Sequence, residues 1–135
     1  MSIKKIIIIN GPNLNLLGER EPEVYGTETL KDLEKMLNDH IKESNLKIDT
    51  IFFQSNSEGE LVNSIQNAGK TLNGIIINAG GLSHTSVSIL DALLAIKIPK
   101  IEVHISNLFT REEFRHSSFI SKGVNGIVCG FGLNG

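Results

Sequence analysis

Four groups of residues in this 135-residue chain have side chains suited to moving protons or holding anions. The first is Arg20 with Tyr25. A tyrosine ordinarily titrates near pH 10 and burial alone raises that value, so a phenolate base needs a cation close by. Lowering it by about three units takes roughly 4 kcal/mol, which one unit charge at ~4 Å supplies where the effective dielectric is near 20. Arg20 is such a cation; the plainer alternative is a tyrosine packed at a loop end beside a solvated arginine. The second group is Glu102 and His104. Alternate residues of an extended strand share a face, so Ile101, Val103 and Ile105 point one way while Glu102 and His104 point the other. A carboxylate inside a covered sheet is costly unless paired, and His104 is a ready neighbour. Glu102 would then fix the tautomer of His104 and keep it a competent proton donor. The alternative is an edge strand open to water.

The third group is the run Asn78-Ala79-Gly80-Gly81-Leu82-Ser83-His84-Thr85-Ser86. Glycines, hydroxyls and a helix start make a cradle for an oxyanion or carboxylate. A strand-to-helix turn selects similar residues for capping alone. Asp91 follows on that helix, on a face with Ser88 and Ala95 whose small, nearly uncharged character suits a subunit interface. The fourth group, Thr110-Arg111-Glu112-Glu113-Phe114-Arg115-His116, offers two arginines to an anionic substrate, although such runs usually form solvated faces. No spacing of His, Cys or carboxylates supplies three convincing metal ligands, and the loop from Asn10 to Gly26 lacks both the Walker and the G-x-G-x-x-G patterns.

The elements that must position these groups read as an alternation of strands and helices. Lys4 to Ile9 is a β-branched apolar run of the kind buried on both faces of a parallel sheet. Asn10 to Gly26 is a long loop at its carboxyl end, the edge where open α/β sheets bind ligands. Its Leu14, Leu16, Leu17 and Val24 are too apolar for a disordered tract, so it reads as an active-site lid. Thr27 is placed to cap a helix with Leu30, Leu33, Leu37 and Ile41 on one face. Strands are expected at Lys47 to Gln54, Leu72 to Asn78, Lys100 to Ile105 and Val124 to Gly130. Ser57 and Glu60 form a capping box ahead of a helix that turns Leu61, Ile65 and Ala68 inward. Another helix runs from Ser86 to Lys97, ahead of Pro99, and Asn107 to Lys122 is short helical or irregular structure. This alternation predicts a single α/β domain over residues 1–135: a flavodoxin-like, doubly wound five-stranded parallel sheet in the order 2-1-3-4-5.

Composition narrows the function. A net charge of -2 and 21% charged residues give no support for nucleic-acid binding. No apolar run approaches a membrane span, no signal-peptide pattern opens the chain, and the lone Cys129 fits a reducing compartment, so a cytoplasmic protein is expected. A signalling receiver would need acidic residues where Asn10 stands. A flavin carrier would need a phosphate loop and more aromatic surface than 5% of the chain provides.

The stretch NGPNLNLLGEREPEVYG from Asn10 to Gly26 closely resembles the opening of the type II 3-dehydroquinate dehydratases. The resemblance continues through QSNSEGEL (Gln54 to Leu61), NAGGLSHTSVSILD (Asn78 to Asp91), EVHISN (Glu102 to Asn107) and REEFRHSS (Arg111 to Ser118). It implies a reversible trans-dehydration of 3-dehydroquinate to 3-dehydroshikimate in the shikimate route, with no metal, no cofactor and no Schiff base. Carried over by residue, it makes Tyr25 the general base, Arg20 the group that activates it, and Asn13, through a water, the donor to the enolate oxygen. His104 becomes the acid with Glu102 behind it. Asn78, His84 and Arg115 match positions that hold substrate hydroxyls, and the amides of Ile105 and Ser106 match those that hold its carboxylate. Asp91 matches a residue that reaches a neighbouring subunit's site. The family implies a homo-oligomer, a dodecamer built as four trimers. Leu82 stands where an aromatic is often found. Members usually carry a further helix beyond the glycine-rich segment that ends here at Gly135.

Overall fold

The computed structural model describes residues 2–135. Five parallel strands, β1 (Lys4–Asn10), β2 (Ile48–Gln54), β3 (Gly74–Asn78), β4 (Lys100–His104) and β5 (Gly126–Cys129), form one sheet in the order β2-β1-β3-β4-β5. The expected order is therefore the observed one. Helices α1 (Pro22–Tyr25), α2 (Leu30–Glu43), α3 (Glu58–Thr71) and α4 (Val87–Leu94) connect the first four strands, and short 3-10 turns occupy most of the rest.

One face of the sheet holds the core. Ile7 and Ile9 of β1 and Ile75 and Ile77 of β3 pack against Leu61, Ile65 and Ala68 of α3 and against Ile89, Ala92 and Leu93 of α4. The opposite face is covered by the half-buried Leu33 and Leu37 of α2. Beside α2 lies an aliphatic cleft of about 320 Å³, walled by Ile8, Met36, Ile76 and Val103. Strand β4 inverts the usual pattern, because its buried residues are Lys100, Glu102 and His104 while Ile101 and Val103 are only half-buried. The polar side meets the covered face, where Ile77 is the register partner of Glu102. Lys100 is accommodated there by donating from Nζ to the carbonyls of Leu93 (3.0 Å) and Ile96 (2.7 Å), which closes the end of α4. Burial lowers its pKa, as expected for an ammonium with little water.

Two caps differ from their expected form. The cap of α2 is Thr29, not Thr27: Thr29 accepts from the Asp32 amide (3.3 Å) and the Asp32 carboxylate accepts from the Thr29 amide (2.8 Å). This reciprocal pair needs an acid three residues on, which Thr29 has and Thr27 lacks. At α3 only half of the expected box forms. Ser57 accepts from the Glu60 amide (3.3 Å), but the Glu60 carboxylate takes the Ser55 hydroxyl instead, and the Ser57 amide donates to Ser55 Oγ (2.9 Å). Helix α4 also stops earlier than expected, with Ala95 as its C-cap.

The loops after β1 and β3 meet backbone to backbone. Gly11 donates from its amide to the Asn78 carbonyl at 2.7 Å. A Cβ on Gly11 would lie 2.5 Å from the Ala79 carbonyl oxygen, closer than side-chain carbons come to backbone. By contrast, a Cβ on Gly59, in the first turn of α3, would meet only Ser57 Oγ at 3.9 Å. Gly11→Ala is therefore expected to destabilise the fold by about 1–3 kcal/mol through forced separation of the two loops. Gly59→Ala should be neutral or stabilise by roughly 0.5 kcal/mol. Urea denaturation of the two variants checks both signs.

Candidate functional site

The register of the parallel sheet sets the site. Asn10 pairs with Asn78, and Ile77 pairs with Glu102, so β1, β3 and β4 end together at one edge. A cavity of about 120 Å³ opens there. Asn13, Arg20 and Tyr25 from the first loop line it, with Asn78 and His84 following β3 and His104, Ile105, Ser106, Arg111 and Arg115 from β4 and beyond. Nine of the eleven site residues expected from sequence thus meet at one place. Glu102 lies directly behind His104, and Asp91 alone stands apart: it is exposed on α4 and does not line this cavity.

The first loop is compact. Leu14 and Leu17, 4% and 5% exposed, anchor its first half in the core. Each contributes about 1.5–3 kcal/mol by burial, enough to hold Asn13 in its left-handed conformation at φ 70°. The Asn13 amide donates to Asn56 Oδ1 at 2.9 Å, and that same oxygen accepts from Gln54 Nε2 at 3.2 Å. The loop ends in α1, with Pro22 at its start and Tyr25 at its last position.

Two arginines flank Tyr25. The guanidinium carbons of Arg20 and Arg111 lie 5.0 and 5.1 Å from the ring centroid. Arg20 is otherwise engaged with Glu21 at 3.1 Å. It is Arg111 that touches the phenol oxygen, donating from a terminal guanidinium nitrogen at 2.7 Å, and the same nitrogen reaches Ser106 Oγ at 3.2 Å. Arg111 is one of the two arginines that the sequence offers to an anion, but residue type does not place it on the tyrosine 86 positions away. No local signal could have done so; the contact exists only once β4 lies beside the first loop.

The second titratable pair is buried. Glu102 is 0% exposed and His104 4%, which rules out the edge-strand alternative, since β4 lies between β3 and β5. His104 Nε2 is hydrogen-bonded to Glu102 Oε2, leaving Nδ1 as the ring nitrogen available to the cavity. Burial penalises the Glu102 charge, but donors from His104, Ser121 and Ser118 together outweigh that penalty and hold the carboxyl below its ordinary value. The His84 ring stacks at 6.1 Å from that of His104, and its Nδ1 donates to the Ser117 carbonyl at 2.8 Å. Arg115 is steered by Glu112, whose carboxylate accepts from its Nε at 2.6 Å. The site therefore combines a phenol between two guanidiniums, an imidazole backed by a buried carboxylate, and amide and guanidinium donors for an anion. These are the parts for removing one proton and delivering another.

A carboxyl whose folded pKa is depressed adds stability at pH values above its ordinary pKa, here 4.5, and that contribution is lost as pH falls through the folded value. Glu102→Gln should accordingly cost about 1–3 kcal/mol near pH 7, where three donors lose a charged acceptor. The gap between wild type and variant should narrow below about pH 4.5. Thermal melts at neutral and acid pH measure it, and a gap independent of pH would show that Glu102 is not ionised in the folded chain.

Comparison with known proteins fits this geometry. The Dehydroquinase class II family matches residues 4–135. A 3-dehydroquinate dehydratase of Prochlorococcus marinus (strain NATL1A) is 53% identical over 131 residues, 96% of this chain and 88% of the relative. Another from Endomicrobium trichonymphae is 52% identical over 133 residues, 98% of this chain and 92% of the relative. The crystal structure of the type II dehydroquinase from Butyrivibrio crossotus DSM 2876 superposes with a TM-score of 0.93 at 46% identity, covering 98% of this chain and 91% of that one. With sequence and fold agreeing over nearly the whole length, the chain belongs to the class II dehydroquinase family.

Proposed function

We propose that this chain catalyses the reversible trans-dehydration of 3-dehydroquinate to 3-dehydroshikimate, a step of the shikimate route, acting as one catalytic domain with residues 10–26 as its lid. The observation that carries this reading is the pairing, on one cavity, of Tyr25 under two guanidiniums with His104 backed by Glu102. Membership in a family whose relatives bear that name supports it.

The chemistry asks for such a pair. A hydrogen alpha to a ketone is weakly acidic, so its removal needs a positioned strong base; hydroxide is a poor leaving group, so its departure needs an acid. Tyr25, as phenolate, takes the alpha proton, and the electron pair moves onto the ketone oxygen to form an enolate. Asn13, through a water, donates to that oxygen. The enolate then collapses to the conjugated enone as the carbon–oxygen bond breaks, and the hydroxyl leaves as water with the proton supplied by His104. Protons and hydroxide balance within the substrate and these two residues, so no cofactor is consumed.

Arg20 and Arg111 set positive charge beside the Tyr25 ring, and Arg111 bonds its oxygen directly. Asn78, His84 and Arg115 hold the ring hydroxyls, and the amides of Ile105 and Ser106 hold the carboxylate. Asp91 serves the site of a neighbouring subunit in a dodecamer of four trimers. Its exposed helix face, with Val87 at 55% and Leu94 at 58% exposure beside it, supports that assignment. A protein that sediments as a monomer would overturn it. Among the described residues no helix is long and apolar enough to cross a membrane, and a cytoplasmic location is part of the proposal.

Mixing the purified protein with 3-dehydroquinate should raise ultraviolet absorbance as the enone forms, with chelator and borohydride leaving the rate unchanged. Tyr25→Phe is expected to lower kcat by about 10²–10⁴ with KM little altered, because only the base is lost. Full activity in that variant would remove Tyr25 from the mechanism. Arg111→Met should reduce kcat more than Arg20→Met, by at least about tenfold between the two, since only Arg111 bonds the reacting oxygen. Equal losses would place the activating role on the ring-stacked charge instead.

A further inference from the structure

Behind the histidine, two hydroxyls close on Glu102. Ser121 Oγ donates to Oε1 at 2.5 Å, and Ser118 Oγ donates to Oε2 at 2.8 Å, the oxygen that also meets His104. Both serines are half-buried and come from the irregular segment before β5, fixed there by the fully buried Ile120 between them. Ser118 has a second acceptor, the Ser83 carbonyl at 3.3 Å. The shorter bond to a charged oxygen dominates, being roughly twice as strong as a neutral one.

We propose that Ser118 and Ser121 are positioning residues for catalysis, which hold the Glu102 carboxylate in the one orientation that presents Oε2 to His104. The proposal rests on the dehydration reading for its kinetic consequences, though not for its structural content. A buried carboxylate is acceptor-only when ionised and needs donors on both oxygens. Among the described residues Ser121 is the sole side-chain donor to Oε1. Without it, that oxygen is buried and unpaired, and the carboxyl relieves the penalty by taking a proton. A protonated Glu102 no longer stabilises imidazolium. Neutral imidazole is too weak an acid to release hydroxide as water, so the loss falls on the leaving-group step. Tyr25, Arg20, His84, Arg111 and Arg115 face His104 across the cavity, and Cys129 is its register partner on β5. All six are unchanged by a substitution at Ser121, so a shift in titration reports on Glu102.

The test compares Ser121→Ala with Ser121→Thr, which restores a hydroxyl, and with Ser121→Cys, which keeps the volume but donates weakly. The alanine and cysteine variants should lose about 10- to 100-fold in kcat with KM nearly constant. The falling, alkaline limb of their kcat–pH profile should move about one unit lower, and threonine should recover most of both. Ser121→Ala added to Glu102→Gln should cost nothing further, because the two act through one carboxylate. Imidazole ¹⁵N NMR of His104 gives a readout without substrate: its protonation should move to lower pH in the alanine variant. An unmoved NMR titration, an unmoved pH limb or full additivity with Glu102→Gln would overturn the proposal. If the wild-type chain fails to dehydrate 3-dehydroquinate while the NMR shift appears, the dehydration reading falls and the positioning role stands.

Discussion

A carboxylate with no exposure to water, set in an inner strand of a parallel sheet, governs much of this molecule. Desolvating such a charge costs several kcal/mol, and the cost is met only if both oxygens find donors in good geometry. Its own strand supplies one donor, His104, two residues on. The others must come from elsewhere, and they come from the chain between β4 and β5. That connection is not a regular crossover helix but a series of 3-10 turns, which aim two hydroxyls three residues apart at one carboxylate while burying Ile120 between them. The same path brings Arg111 and Arg115 to the mouth of the cavity. Satisfying the buried charge and delivering the cations are therefore consequences of one backbone course.

The sheet supplies the other half of the design. In a parallel sheet all carboxyl ends lie along one edge, and a shared register decides which of them are level. Here β1 and β3 end on paired asparagines, and β4 runs on to His104. The loops leaving β1 and β3 then approach more closely than side chains allow, which is why glycine occupies position 11. Close packing of these two loops brings Asn13 and His84 onto the same cavity although they are far apart in sequence.

How much of this was legible in the sequence follows from the range of each interaction. Strand order, the alternation in β4 and the pairing of Glu102 with His104 are short-range or periodic, and all were readable. The expected order also sets β4 between β3 and β5, so the alternative of an edge β4 was already at odds with it. The caps at Thr29 and Ser57 differ from the expected ones by two residues in one case and by one hydrogen bond in the other, because several hydroxyls and acids compete within each turn. The contact of Arg111 with Tyr25 and the bonds of Ser118 and Ser121 to Glu102 join distant segments, and residue type alone does not mark them. Family resemblance gave Asn13 its place at the cavity, and it turned the general anion-binding character of Asn78 and Arg115 into specific positions. It carried Asp91 to a helix face that a single chain leaves outside the site.

The first loop shows how position and charge are joined. Its first half is held by buried leucines and by Asn13 on Asn56, contacts indifferent to protonation. Its end is held differently: Tyr25 is half-buried, and its hydroxyl's hydrogen bond is to Arg111. A guanidinium bond to an ionised oxygen is roughly twice as strong as one to a neutral hydroxyl. On the proposed mechanism, any ionisation of Tyr25 thus tightens the contact that brings the loop over the cavity, and closure in turn excludes water and strengthens the charge interaction. Arg20 belongs to the loop itself, as Tyr25 does, and lies against the tyrosine ring. Arg111 belongs to the other wall, so on the proposed mechanism its bond is the one that ties the loop across the cavity.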